Sequence, residues 1–234
     1  MLEIPERKKL EFQRLLLSWW KENAQQYPWR TASDPYCILI AEILLRKTSR
    51  KQAAAVYELL LQKWPSPADL ARASEAELKA CLRPLGLENK RAALLVQLGK
   101  AVVHRFGGRI PDNLHDLAGL PGVGRYTANA VLCFACGQDR PIVDTNTARV
   151  IQRVFGYCSR RSRPRDDEVL WQIAERLIPR GRARDYNLAL LDLAGSVCRA
   201  RKPTCSACPL QEICSYYQKE RVRRSTQDFP ASSG

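Results

Sequence analysis

No stretch of this chain stays apolar for anything near the ~20 residues that a membrane-crossing helix needs. The opening residues, Met1-Leu2-Glu3-Ile4-Pro5-Glu6-Arg7-Lys8, lack the apolar centre of a signal peptide and carry acidic side chains. A soluble, cytoplasmic protein with no membrane partner is therefore expected. Strand-like alternation is missing as well, and so is any internal repeat. Acidic residues are in short supply: 24 Asp and Glu face 38 Lys and Arg, a formal net charge of +14. That imbalance points to a polyanionic partner, although a merely basic, solvated surface is the plain alternative.

What is present is helical in pattern. Hydrophobic residues make up 45% of 234, enough for one large or two small cores. Helices are expected over residues 11–23, 36–45, 51–64, 75–82, 90–106, 113–118, 126–135, 145–155, 168–177 and 185–197. Pro28-Trp29-Arg30, Pro65-Ser66-Pro67, Pro84-Leu85-Gly86 and Gly107-Gly108 read as breaks, and Arg160-Arg161-Ser162-Arg163-Pro164-Arg165 as a basic loop. From Lys219 on, apolar residues are so few that 219–234 is expected to be a disordered tail.

Leu120-Pro121-Gly122-Val123-Gly124-Arg125-Tyr126-Thr127-Ala128 reads as a tight glycine hairpin opening a helix. Glycine permits positive φ and lets backbone N–H groups meet a phosphate, which the helix dipole also favours. Alone, such a turn is a weak signal. Eighteen residues after Tyr126 comes Asp144, in Val143-Asp144-Thr145-Asn146, a carboxylate able to return to the same cleft.

Nine cysteines in a chain of this type do not suggest a disulfide framework, since the count is odd and the spacing uneven. Cys37, Cys81, Cys133 and Cys136 lie in apolar stretches as small core residues, and Cys158 carries no signal. Cys198-x6-Cys205-x2-Cys208-x5-Cys214 is different. Four thiolates in so polar a segment can close on an iron–sulfur cluster or a tetrahedral zinc, and softness alone does not separate them. Arg199, Arg201 and Lys202 lie in the first loop of the set, suited to backbone phosphates.

The hairpin, the following Asp and the cysteine set together resemble the helix-hairpin-helix DNA glycosylases related to endonuclease III, over about Trp29 to Cys214. The resemblance implies an all-α, two-lobed fold with a C-terminal [4Fe-4S] cluster loop held by Cys198, Cys205, Cys208 and Cys214. One lobe, a six-helix barrel carrying the hairpin, would span 32–137; residues 1–31 and 138–218 would form the iron–sulfur domain. DNA would lie in the cleft between them, Gly122, Val123, Gly124 and Arg125 would grip its backbone, and Asp144 would be the catalytic carboxylate. A monomer is expected.

Within that superfamily a lysine at the position of Tyr126 makes a Schiff base with the sugar. Tyrosine there disfavours a lyase and leaves water as the nucleophile. Together with Pro28-Trp29-Arg30, Asp34-Pro35-Tyr36 and Glu42-Ile43-Leu44-Leu45-Arg46, it resembles the thymine/uracil–guanine mismatch glycosylases. Adenine–mismatch glycosylases share the Glu42 segment but typically carry serine at Tyr126 and a further C-terminal domain for which the chain leaves no room. A non-catalytic DNA-binding module is the alternative of a different class.

The expected partner is double-stranded DNA with a mispaired base, flipped out of the stack. Asp144 would stabilise the positive sugar and orient water, Glu42 would exchange protons with its pKa raised by burial, and Tyr126 would stack on the base. Each has a plainer alternative: Asp144 as a helix N-cap, Glu42 as a core carboxylate beside an arginine, Tyr126 as packing. Arg46 and Lys47 stand where the family inserts a polar wedge, and Leu87 where it inserts an apolar one; a helix-start contact is the alternative for Leu87. Lys47 and Arg50 depart from the mismatch enzymes, which tend to have arginine and a small residue there, so recognition of the opposite guanine is open.

Overall fold

A computed structural model describes residues 3–227, with side chains to 221, as twelve α-helices among the described residues. They divide into two compact units, one from Gln26 to Arg140 and one made of the residues up to Gln25 with those from Pro141 on. No helix among the described residues is long and apolar enough to cross a membrane.

The second unit is built first by α1 (Glu6–Asn23), then by α9 (Thr145–Phe155), α10 (Glu168–Arg176), α11 (Ala183–Ser196) and α12 (Ser215–Gln227). Its core joins Phe12 and Leu16 of α1 to Ile151, Phe155, Tyr186 and Leu190. The Phe12 and Phe155 rings meet edge-on at 5.2 Å, the arrangement favoured by the ring quadrupole. Polar ties fix α1 along its length: Gln13 Nε2 donates to Leu177 O at 2.9 Å and Trp20 Nε1 to Asp192 Oδ2 at 3.0 Å.

The unit from Gln26 to Arg140 contains α2 (Pro35–Leu44), α3 (Arg50–Lys63), α4 (Pro67–Arg72), α5 (Glu75–Leu82), α6 (Glu88–Phe106), α7 (Leu114–Ala118) and α8 (Arg125–Phe134). The long α6 packs on α4 and α5, and α2 packs on α3 and α8. At α2 the Asp34 carboxylate accepts from Tyr36 N at 2.7 Å and Pro35 presets the first turn, so a continuous apolar run becomes a helix buried on every side. Gly99 of α6 sits against α4 so closely that a Cβ would lie 2.6 Å from Ala71 N.

Three boundaries differ from the sequence expectation. Residues 28–30 belong with 26–140, because Trp29 meets Tyr57 edge-on at 5.6 Å and Tyr27 stacks on Trp29 at 5.1 Å. Pro65-Ser66-Pro67 opens a helix rather than only ending one: Ser66 caps α4 by accepting from Asp69 N at 3.2 Å. The stretch from Lys219, expected to be disordered, is helical through Gln227, continuing a turn whose Ser215 Oγ donates to Val154 O at 3.0 Å; residues 228–234 lie outside the described residues.

Candidate active site and DNA interface

The two glycines of the hairpin between α7 and α8 differ in setting. Gly122 has φ +71°, and a Cβ there would also lie 2.6 Å from Leu94 Cδ1. Gly124 has an ordinary φ of −94° and open space beside it, so neither backbone nor packing requires a glycine there. It caps α8 with no side-chain hydrogen bond, and Arg125 is exposed next to it. Val123, in contrast, is only 5% exposed and its N–H donates to Leu120 O at 3.0 Å; it anchors the turn from inside.

Glu42 is buried on α2 and lies near Arg46, whose charged form it favours against the opposing pull of burial. A buried carboxylate and an arginine thus lie near each other in this unit. Arg46 does not project as a free wedge: Nη2 donates to Gly122 O at 2.6 Å and to Thr127 Oγ1 at 3.1 Å, bracing the hairpin. Tyr126 is half-buried in the first turn of α8. Arg50 lies 5.7 Å over the Tyr27 ring, extending the Tyr27–Trp29 stack with a cation.

Among the described residues three non-glycines adopt left-handed backbone: Lys47 (φ 53°), Leu87 (φ 55°) and Lys202 (φ 49°). Each such position costs on the order of 1 kcal/mol. All three are exposed, Leu87 by 53%, although a leucine gains from burial. At Leu87, therefore, neither the backbone conformation nor the exposure of the side chain is favourable on its own account.

Asp144 opens α9 and is a helix cap. Its Oδ1 accepts from Asn146 N at 2.8 Å and Thr147 N at 2.7 Å, and Thr147 Oγ1 returns by accepting from Asp144 N at 2.9 Å. Oδ2 accepts from Asn146 Nδ2 at 3.0 Å. The cap and the catalytic assignment are compatible: one oxygen is locked by backbone donors, and the other retains acceptor capacity in a half-buried setting.

Sequence patterning missed what stands behind Asp144. Arg149 Nη1 donates to Asn146 Oδ1 at 3.0 Å, Nε to Cys198 O at 2.9 Å and Nη2 to Ala194 O at 2.9 Å. One turn on, Arg153 Nη1 reaches Cys198 Sγ at 3.4 Å and Arg199 O at 2.8 Å, with its guanidinium 4.7 Å over the Tyr216 ring. The signal was available as arginines four apart on one face of α9.

Cys198, Cys205, Cys208 and Cys214 line one cavity with Arg153 and Tyr216. Burial, backed by the negative charge the other three thiols would carry, pushes the Cys208 thiol up to about 12. A cationic centre would offset that cost, and four sulfurs around one cavity are the donor set of an iron–sulfur cluster or a zinc ion. Among the described residues no three ligating side chains are spaced for a single metal ion. Arg199, Arg201 and Lys202 are exposed on the same loop, Arg199 Nη2 donating to Thr204 Oγ1 at 3.2 Å.

The profile of the HhH-GPD superfamily base excision DNA repair proteins matches residues 40–177. The chain is similar to the thymine/uracil-DNA glycosylase of Pyrobaculum aerophilum, 46% identical over 217 residues that cover 91% of this chain and 94% of that one. In structure it is similar to a thermostable thymine-DNA glycosylase, with TM-score 0.87 and 38% identity, covering 92% of this chain and 98% of that one. It is also similar to endonuclease III in a non-covalent complex with DNA, with TM-score 0.78 and 26% identity, covering 94% and 100%.

Proposed function

Because the chain belongs to the HhH-GPD superfamily of base excision DNA repair proteins and is a DNA glycosylase, we propose that it hydrolyses the N-glycosidic bond of thymine or uracil mispaired with guanine. The observation that carries this reading is the Asp144 carboxylate, fixed by its own helix start with one oxygen left able to accept. The names of two relatives, a thymine/uracil-DNA glycosylase and a thymine-DNA glycosylase, support the pyrimidine substrate.

A base inside a duplex is out of reach and must be extruded, which is easiest at a mispair. As the bond to the sugar breaks, positive charge grows on the sugar ring, and a prefixed carboxylate stabilises it without reorganising. Asp144 also orients the attacking water; Tyr126 offers a face to the pyrimidine, and Glu42 a carboxyl to exchange protons with base or water. With tyrosine rather than an amine at residue 126, no Schiff base forms. The hairpin residues Gly122, Gly124 and Arg125 hold a phosphate, while Lys47 and Leu87 occupy the space the base leaves.

The four thiolates fit a [4Fe-4S] cluster, held by Cys198, Cys205, Cys208 and Cys214. Such a cluster supplies the positive centre that orders a loop too polar to fold by burial. Arg199, Arg201 and Lys202 then face DNA phosphates from a rigid loop.

Single-turnover release from duplexes with one T·G, U·G, A·G or A·8-oxoguanine pair, followed by alkali, tests the reading. Base loss from T·G and U·G with nicks only after alkali is expected. Adenine release would move the chain to the adenine branch. Asp144→Asn is expected to cut release by about a thousandfold. Asparagine caps a helix as well as aspartate does, so folding and duplex binding should survive. An Asp144→Asn protein as active as the parent would refute the assignment.

A further inference from the structure

Arg91, near the start of α6, is 6% exposed although arginine is rarely buried. Its partners are neutral. Nη1 donates to Ile43 O at 2.8 Å and Leu44 O at 3.4 Å, the closing carbonyls of α2. Nη2 donates to Arg46 O and to Thr48 Oγ1 at 2.7 Å, so it holds the residues on both sides of Lys47. Nε donates to Gly86 O at 3.1 Å, the carbonyl just before Leu87. One planar guanidinium thus grips the two strained, exposed tips of this unit at once. Arg46, whose own carbonyl it holds, carries the connection on to Gly122 O in the hairpin.

Burying a cation among neutral acceptors is expensive, and a shorter polar or apolar side chain would fill the same helix position at less cost. Burial, and after it the like charge of Arg46, pulls Arg91 below the usual arginine value. What the guanidinium supplies, and a lysine ammonium cannot, is a rigid fork of donors spread over several acceptors.

We propose that Arg91 is a positioning residue for base extrusion: it locks the Lys47 tip and the Leu87 tip in one register so that both enter the duplex together. The proposal rests on the reading that these two tips enter at the extruded base. Preorganising them removes an ordering cost that would otherwise fall on the binding step.

The test is Arg91→Lys in the full protein, assayed for single-turnover T·G release and for the rise in 2-aminopurine fluorescence when that base sits beside the mispair. A loss of about 10- to 100-fold in release is expected, with most of the fluorescence rise gone and the Kd for undamaged duplex moved less than about threefold. In a Lys47→Ala/Leu87→Ala background, the same change should cost less than about threefold, since its effect passes through the tips. Equal losses in both backgrounds, or an unchanged fluorescence rise, would overturn the proposal and leave Arg91 as a structural residue. Should Arg91→Lys fail to fold, Thr48→Val removes one acceptor while keeping the guanidinium; the same background dependence is expected and its absence is equally decisive. If Lys47→Ala/Leu87→Ala alone leaves T·G release intact, it is the tip assignment that has failed, a result independent of Arg91.

Discussion

In the unit from Gln26 to Arg140, the exposed tips at Lys47 and Leu87 are held by arginines on backbone carbonyls, Arg91 on Gly86, Ile43 and Arg46, and Arg46 on Gly122. In the other unit the exposed tip at Lys202 lies in a loop that Arg149 and Arg153 also grip by carbonyls, of Cys198, Arg199 and Ala200. The device is the same, yet the second loop adds four thiols around one cavity and the first has nothing comparable. The difference lies in length and composition. The α2–α3 and α5–α6 connections are short and lie over an apolar core that includes Leu44 and Leu85, whereas residues 199–209 are polar and carry little to bury. Arginine clamps suffice where burial has already fixed the loop's ends; the longer loop is where the proposed cluster would supply the missing centre.

The sharpest way to break this comparison is to take the proposed cluster away. Chelation of iron, or Cys205→Ser, should leave the basic loop unfolded and abolish specific duplex binding, because structural metal sites contribute on the order of 10 kcal/mol. Hydrogen exchange should show the loss confined to the unit with residues 198–214, with α2 to α8 still protected. Equal loss of protection in both units would show that the clamped unit cannot stand without the other.

A second change strikes only the clamped unit. Gly99→Ala places a Cβ 2.6 Å from Ala71 N and 2.9 Å from Pro67 O, both backbone atoms of α4 that cannot turn aside. Overpacking of this kind costs about 1–3 kcal/mol, against about 1 kcal/mol gained in helix propensity. A net loss of up to about 2 kcal/mol is expected by the difference. Chemical denaturation should register it while iron content stays at the parent level.

Asn146→Ala then asks how far the clamp behind Asp144 matters to chemistry. It removes the donor to Oδ2 and the acceptor that Arg149 uses, while the backbone bonds to Oδ1 remain. A fall in kcat of about tenfold with little change in KM is expected for loosened orientation. An unchanged kcat would show that the cap alone aims the carboxylate.

Much of this was legible in the residues, unevenly. The continuous apolar run behind Asp34-Pro35 announced α2, and the cysteine spacing announced the loop, because both signals are local. Pro65-Ser66-Pro67 misled because proline ends one helix and begins the next with the same ring. Gly122 and Gly124 looked alike, and only the backbone shows that Gly122 is needed for its φ while Gly124 holds an ordinary one. Arg91 could not be picked out, since beside Lys90 on an amphipathic helix it reads as one more solvated cation. Its role comes mostly from acceptors that lie 43 to 48 residues before it, three carbonyls and the Thr48 hydroxyl, and so belongs to packing, not pattern. Asp144 was ambiguous for a physical reason: the donors that cap a helix are also those that aim a carboxylate.

The smallest effect expected is one of pH, and it too is confined to the unit with the cysteine loop. Tyr157 Oη donates to Asp167 Oδ2 at 2.7 Å, and that bond, more than burial, raises its hydroxyl from 10.0 to about 12. An acid whose folded value is raised favours folding while it stays protonated. Its stabilising share is therefore complete below pH 10, where the unfolded chain also keeps the proton, and drains away as pH climbs from 10 towards 12. Tyr157→Phe removes the proton and the bond together. Asp167 keeps Ser159 Oγ and Val169 N as donors, so the variant should fold with only a modest loss of stability at neutral pH. Denaturation curves between pH 9 and 12 decide the matter. The parent should lose stability more steeply than Tyr157→Phe across that window, and parallel curves would mean that the Tyr157–Asp167 bond contributes nothing to the fold of this unit.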